Sequence, residues 1–182
     1  LLQLLVEKRD ELKVGDLIPL GDLYDVIRGG EEPFSDEIKR HFVRAKELYQ
    51  RRLRPMLLAE YDLQPEDMSG LPDDHQFHTD DRLIKTLLLA ALVPTVDPLQ
   101  GLTVRRLADL NHGTIKTPVP GQEKAAVLSR LRKWAPEIPE LRLEGDDQDP
   151  VVSLELTGID VDSILQQAAH VDNTGKRRAK IK

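Results

Sequence analysis

Between Thr79 and Thr157 prolines, glycines and capping residues cut the chain into three helical patterns and two short alternating runs. Thr79 stands as an N-cap for Asp80–Val93, where Leu83, Ile84, Leu87, Leu88, Ala91 and Leu92 make a nearly all-apolar helix stopped by Pro94. Thr103 caps Val104–Asn111, in which Val104, Leu107, Ala108 and Leu110 are apolar and Asn111 and Gly113 are stop residues. After a Pro-bearing turn at Thr117–Gly121, a third pattern covers Gln122–Trp134 and ends at Pro136. Leu141–Glu144 and Val151–Thr157 then alternate apolar and polar residues across the polar turn Gly145–Pro150, as hairpin strands do. Three helices followed by a hairpin is the order of a winged-helix domain, the helix-turn-helix variant that presents its third helix and hairpin tip together.

The first part of the chain is helical in pattern. Leu1–Lys13 reads as the end of an amphipathic helix broken at Gly15, and Gly21–Arg28 as a short helix stopped by Gly29 and Gly30. Ser35 stands as an N-cap with Asp36 and Glu37 in the first turn, where the positive helix end favours carboxylates. Ile38, Phe42, Ala45, Tyr49, Leu53 and Met56 then form one buried stripe. Pro55 predicts a kink or an end near Arg54, with Met56–Ala59 restarting the helix. Residues 62–81 hold Pro65, Gly70, Pro72 and seven acids, which places a domain boundary near Leu71. The expected fold is mostly α with a small β-hairpin: a helical segment over 1–71, a winged-helix domain over 72–170 closing on a helix at Val161–Ala169, and a basic tail over 171–182.

Composition narrows the function classes. Hydrophobic residues at 40% and charged residues at 32% exclude a disordered chain, and the longest apolar run, Leu87–Val93, is far short of the roughly 20 residues of a membrane helix. The absence of cysteine excludes disulfides, thiol nucleophiles and cysteine-ligated zinc, and fits a cytoplasmic setting. The start at Leu1, without an initiator Met, reads as a piece of something longer. The formal charge is −6, yet Lys176, Arg177, Arg178, Lys180 and Lys182 against Asp172 give the tail +4 and leave −10 to the remainder. Phosphate affinity must therefore come from local patches.

No catalytic constellation emerges. Gly113–Lys124 lacks the Gly-Lys-Ser/Thr of a phosphate loop, and Pro118 and Pro120 delete backbone donors that would cradle phosphate, so no nucleotide hydrolysis, bound cofactor or enzyme activity is expected of this segment. His75 and His78 among Asp73, Asp74, Asp80 and Asp81 have metal-ligand chemistry, but a solvated acidic linker accounts for them more simply. On the third helix Val127, Leu128, Leu131 and Trp134 share the core side. Lys124, Arg130, Arg132 and Lys133 against Glu123 leave +3 for phosphate contacts, to which Lys176, Arg177 and Arg178 would add. Glu144, Asp146, Asp147 and Asp149 put −4 near the hairpin tip, which repels phosphate. Arg51, Arg52 and Arg54 are candidate sensors of a neighbouring phosphate, though a solvated helix face is the commoner role for such a group.

The phrases LKVGDLIPLGDLYDVIRGGEEPFSDEIKRHFVRAKELYQRRLRPMLL (Leu12–Leu58), DDRLIKTLLLAALVP (Asp80–Pro94), LTVRRLADLNHGTI (Leu102–Ile115) and VLSRLRKWAPEIPEL (Val127–Leu141) resemble the large ATPases of bacteriophage-exclusion (BREX) phage-resistance systems, the PglY type. The resemblance implies a parent of more than a thousand residues whose AAA-like core holds ATP and Mg elsewhere. It implies no catalytic residue here. It implies a helical and winged-helix module beside that core, relaying nucleotide state to other defence-system proteins or to DNA, with no membrane partner.

Overall fold

The computed structural model describes residues 19–29 and 36–156. The first helix, α1, is Leu20–Gly29, in line with the pattern read at Gly21–Arg28. Of the predicted stripe, helix α2 (Asp36–Leu48) carries Phe42 half-buried and Ala45 buried, and beyond it Tyr49 and Leu53 are buried and Met56 half-buried. The helix does not stop at Pro55. Instead a π-helical turn at Tyr49–Leu53 opens the spiral, Arg54 N–H reaches back five residues to the Tyr49 carbonyl, and α3 (Arg54–Glu60) begins with Pro55 in its first turn. A proline ring collides with the carbonyl four residues earlier in a regular helix, and a wider turn relieves that contact.

A loop with a 3-10 turn at Pro65–Gly70 leads to the central helix, α4, at Gln76–Leu92. The helix starts four residues before the Asp80 expected from sequence, because His75, not Thr79, is its N-cap. His75 takes an extended conformation, and its Nδ1 accepts from the Phe77 amide at 3.2 Å. Thr79 lies inside the helix and donates its hydroxyl to the Thr114 carbonyl at 2.7 Å. Residues 76–81 of the acidic stretch thus belong to α4. Asp80 and Asp81 are buried.

After α4 come α5 (Val104–Leu110), capped by Thr103 Oγ1 accepting from Arg106 N–H, and α6 (Glu123–Trp134). Strands β1 (Leu141–Glu144) and β2 (Val151–Leu154) pair antiparallel with Leu141 opposite Leu154 and Leu143 opposite Val152. The second strand ends three residues before Thr157. Its outer edge is held by the segment entering α5: Val152 N–H donates to the Leu102 carbonyl at 2.7 Å, and Val104 N–H to the Pro150 carbonyl at 3.1 Å. The fold is mostly α with a small hairpin, and the order α4, α5, α6, β1, β2 is compatible with a winged helix.

Helix α4 is packed against α1, α2, α3, α5 and β2. Its Leu83, Ile84, Leu87 and Leu88 join Tyr24, Ala45, Tyr49, Leu53 and Leu57 on one side of Leu71, and Leu107, Leu131, Trp134 and Val152 on the other, in one apolar cluster. Gly21 permits the closest approach: a Cβ there would overlap the backbone of Arg82, lying 2.8 Å from its Cα. Among the described residues no helix is long and apolar enough to cross a membrane. The helices read at Leu1–Lys13 and Val161–Ala169, the Ser35 cap and the basic tail lie outside the described residues.

Candidate functional site

The buried carboxylates Asp80 and Asp81 anchor two seams on two flanks of α4. The first joins α3, α4 and α6. On α6, Arg130, Lys133 and Trp134 stand at i, i+3 and i+4 and so share a face. That face meets Glu60 at the end of α3. Glu60 Oε1 accepts from Lys133 Nζ at 2.5 Å and pairs with Arg130 at 3.4 Å, while Oε2 accepts from Trp134 Nε1 at 3.0 Å. Arg130 also pairs with Asp80 Oδ2 at 3.1 Å and donates to the Tyr61 hydroxyl at 3.1 Å. Asp80, whose side chain is 0% exposed, accepts further bonds from Tyr61 Oη at 2.5 Å and Gln76 Nε2 at 3.2 Å. Two carboxylates thus face two cations, and the seam is electrically balanced.

Burial pushes the Asp80 carboxyl above its ordinary value, and the bonds from Tyr61 and Gln76 with the Arg130 charge offset only part of that rise. Burial acts in the same direction on Glu60, but the bonds from Lys133 and Trp134 and the charges of Lys133 and Arg130 outweigh it and hold that carboxyl below its ordinary value. Burial, then the bond to Asp80, raises the Tyr61 phenol, so it stays a donor.

The second seam joins α1, α4 and the π turn. Asp81 accepts from the Tyr49 hydroxyl at 2.6 Å and pairs with Lys85 at 2.6 Å. Lys85 bridges on to Asp25 at 2.6 Å, and Arg82 pairs with Asp22 at 2.8 Å. Burial, then the Asp81 charge, raises the Tyr49 phenol and keeps it protonated. The Lys85 ammonium also lies 5.6 Å from the centre of the Tyr49 ring, within reach of its negative face.

Chemically, both seams are closed. Asp80 and Asp81 have their acceptor oxygens engaged, and neither borders the apolar cavity of about 240 Å³ found at the far end of α4, lined by Ala90, Ala91, Leu102, Val152 and Leu154 among others. No ionisable side chain lines that cavity. Among the described residues no three His, Asp or Glu side chains converge as metal ligands. His75 is occupied as the α4 cap, and burial, aided by Arg82, lowers the His78 imidazole below its ordinary value.

The sequence-read cations are distributed accordingly. Arg130 and Lys133 come together on Glu60. Arg132 is exposed and donates to the Asp147 carbonyl at 2.6 Å, tying α6 to the hairpin turn, while Lys124 is half-buried in the first turn of α6. Arg52 pairs with Glu140 at 2.6 Å, Arg51 is exposed and Arg54 half-buried. Lys176, Arg177 and Arg178 lie outside the described residues. In the hairpin turn, Asp149 accepts from the Arg105 amide at 2.8 Å and Asp146 from the Gln148 amide at 2.6 Å.

Sequence reasoning missed Glu60, Tyr61 and the burial of Asp80. The available signal was the spacing of Arg130, Lys133 and Trp134: two cations on the turn of a core tryptophan call for a buried counter-charge. In comparison with known proteins, the family model described as BREX System ATPase PglY protein 2nd domain matches residues 1–147. No solved structure matches the chain.

Proposed function

The chain belongs to the family of the second domain of the BREX System ATPase PglY protein, and from that membership we propose a non-catalytic interaction and regulatory module of a phage-defence ATPase. In this reading the parent's core binds ATP and Mg, and this module carries the nucleotide state to another defence-system protein or to DNA. The module acts in the cytoplasm. The observation that carries the reading is the seam of Glu60, Asp80, Arg130 and Lys133. It fastens α6, and through Arg132 the hairpin turn, to the helices that precede them, so a push on one part displaces the other. A closed, charge-balanced seam suits transmission better than bond-making, which needs a group free to accept a proton at a cleft.

The winged-helix order supports a second reading, a DNA contact through the third helix and the basic tail. In that reading Lys124 and Arg132 are the α6 cations not bound to Glu60, and Lys176, Arg177 and Arg178 supply the rest. ATP turnover tests the leading reading directly. The 182-residue chain should hydrolyse no ATP above a protein-free control with Mg present, and turnover above that control would overturn it.

A further inference from the structure

On α6, Arg130 and Lys133 are consumed by Glu60; along α2 and the π turn, apart from Arg52 on Glu140, the exposed cations have no such partner. Arg40, Arg44, Lys46 and Arg51 are exposed, and none has an ion pair or side-chain hydrogen bond among the described residues. Glu47, also exposed, is the one acid between residues 40 and 54. Over residues 40–54 six basic residues stand against that single acid, a balance of +5 in a chain whose total is −6. The orientation is fixed from behind, because Ala45, Tyr49 and Leu53 are buried on the opposite side and hold Arg40, Arg44 and Arg51 toward solvent, with Lys46 at the flank. At about 1.5 Å per residue, Arg40 and Arg44 stand roughly 6 Å apart along the axis, with Arg51 about 10 Å further on.

We propose that this face docks a nucleic-acid duplex through its backbone phosphates, without reading sequence. The inference rests on the reading of this domain as an interaction module. Carboxylates on a folded protein partner sit at fixed places and select arginines held in matching positions by their own neighbours. Here the side chains are unpinned and form an open row, which a continuous lattice of phosphates satisfies in any register. The hairpin turn, with exposed Glu144, Asp146 and Asp147, repels phosphate and forms no part of the proposed contact.

Fluorescence anisotropy of a labelled 20-base-pair DNA duplex with the 182-residue chain tests this. Four phosphate contacts give a log–log salt slope of about −3.6, so affinity falls about 150-fold between roughly 50 and 200 mM salt. Arg40→Ala, Arg44→Ala and Arg51→Ala together should reduce the slope to about −0.9, while the same three positions changed to Lys should keep it. The comparison pair Lys124→Ala and Arg132→Ala, and the tail triple Lys176→Ala, Arg177→Ala and Arg178→Ala, should leave it unchanged. Absence of duplex binding at about 50 mM salt, or a slope lost with α6 or the tail instead of α2, overturns the proposal. Binding of a polyglutamate peptide as tightly as the duplex, through the same arginines, overturns it in favour of an acidic protein. The outcome is separable from the ATP experiment, since a silent ATPase assay with no duplex binding refutes this face alone.

Discussion

Replacing Arg130 with methionine keeps most of the side-chain volume and removes the cation shared by Asp80, Glu60 and the Tyr61 hydroxyl. The two carboxylates are not equally exposed to the loss. Glu60 retains Lys133 at 2.5 Å and Trp134 at 3.0 Å. Asp80, fully buried, keeps only the neutral donors Tyr61 and Gln76. Breaking one partner of a buried pair costs about 3–5 kcal/mol, and the partial exposure of Arg130, 31%, points to the lower end. A loss of about 3 kcal/mol is roughly a 150-fold change in the folding equilibrium, or about 1.5 M in the urea midpoint at an m-value near 2 kcal/mol/M.

The loss should depend on pH. Because Asp80 sits above its ordinary value of 3.8 in the folded protein, its contribution to stability declines as pH rises from that value through the folded one, and is level beyond. Removing Arg130 raises the folded value further and widens the window. The deficit of the variant is therefore largest at neutral pH and shrinks on acidification, as the folded state takes up a proton on Asp80. Adding Asp80→Asn to Arg130→Met should recover part of the loss at neutral pH, with a coupling of about 1–3 kcal/mol. Urea titrations followed by the fluorescence of Trp134, the sole tryptophan and itself bonded to Glu60, provide the measurement. A deficit under about 1 kcal/mol at pH 7, or one that grows as the solution is made acidic, would refute the reasoning.

Gly21→Ala should destabilise the chain by about 1–3 kcal/mol, since the added methyl collides with the Arg82 backbone; a fall in Tm, with faster hydrogen exchange concentrated in α1, is the expected result. Thr103→Ala removes the acceptor for the Arg106 amide and should cost about 1 kcal/mol in urea unfolding. Arg52→Ala breaks the pair with Glu140 at a position 49% exposed and should change stability by less than about 1 kcal/mol, a difference that disappears at high salt.

Much of the helical architecture is legible in the sequence, because apolar spacing and capping chemistry are local. Thr103, the stripe Val127, Leu128, Leu131 and Trp134, and the alternation at Leu141–Glu144 each specify an element that is found where expected. The start of α4 was not legible by the same means. Histidine is an unusual cap, and Asp80 and Asp81 look like solvent-facing acids until their partners are known, at Arg130 from fifty residues later and Tyr49 from thirty-two residues earlier. The π turn was likewise hidden: a proline announces a disturbance, but the surrounding packing decides whether the helix bends, stops or widens. Gly21 reads in the sequence only as the start of a short helix, and its contact with the Arg82 backbone has no local signal. On α6 the charges of Arg130 and Lys133 drew attention toward an outside partner, when Glu60 and Asp80 within the same chain bind them.

The adjacency of Asp80 and Asp81 has a mechanical meaning. Consecutive helical residues point about 100° apart, so one carboxylate is engaged with Arg130 and the other with Lys85 and Tyr49. Such a shaft is keyed on both flanks. Spinning it about its own axis would pull both teeth from their slots together, exposing two unpaired charges in a dry interior. Any stroke delivered through this helix must therefore travel as tilt or lengthwise slide of the whole block, with torsion forbidden.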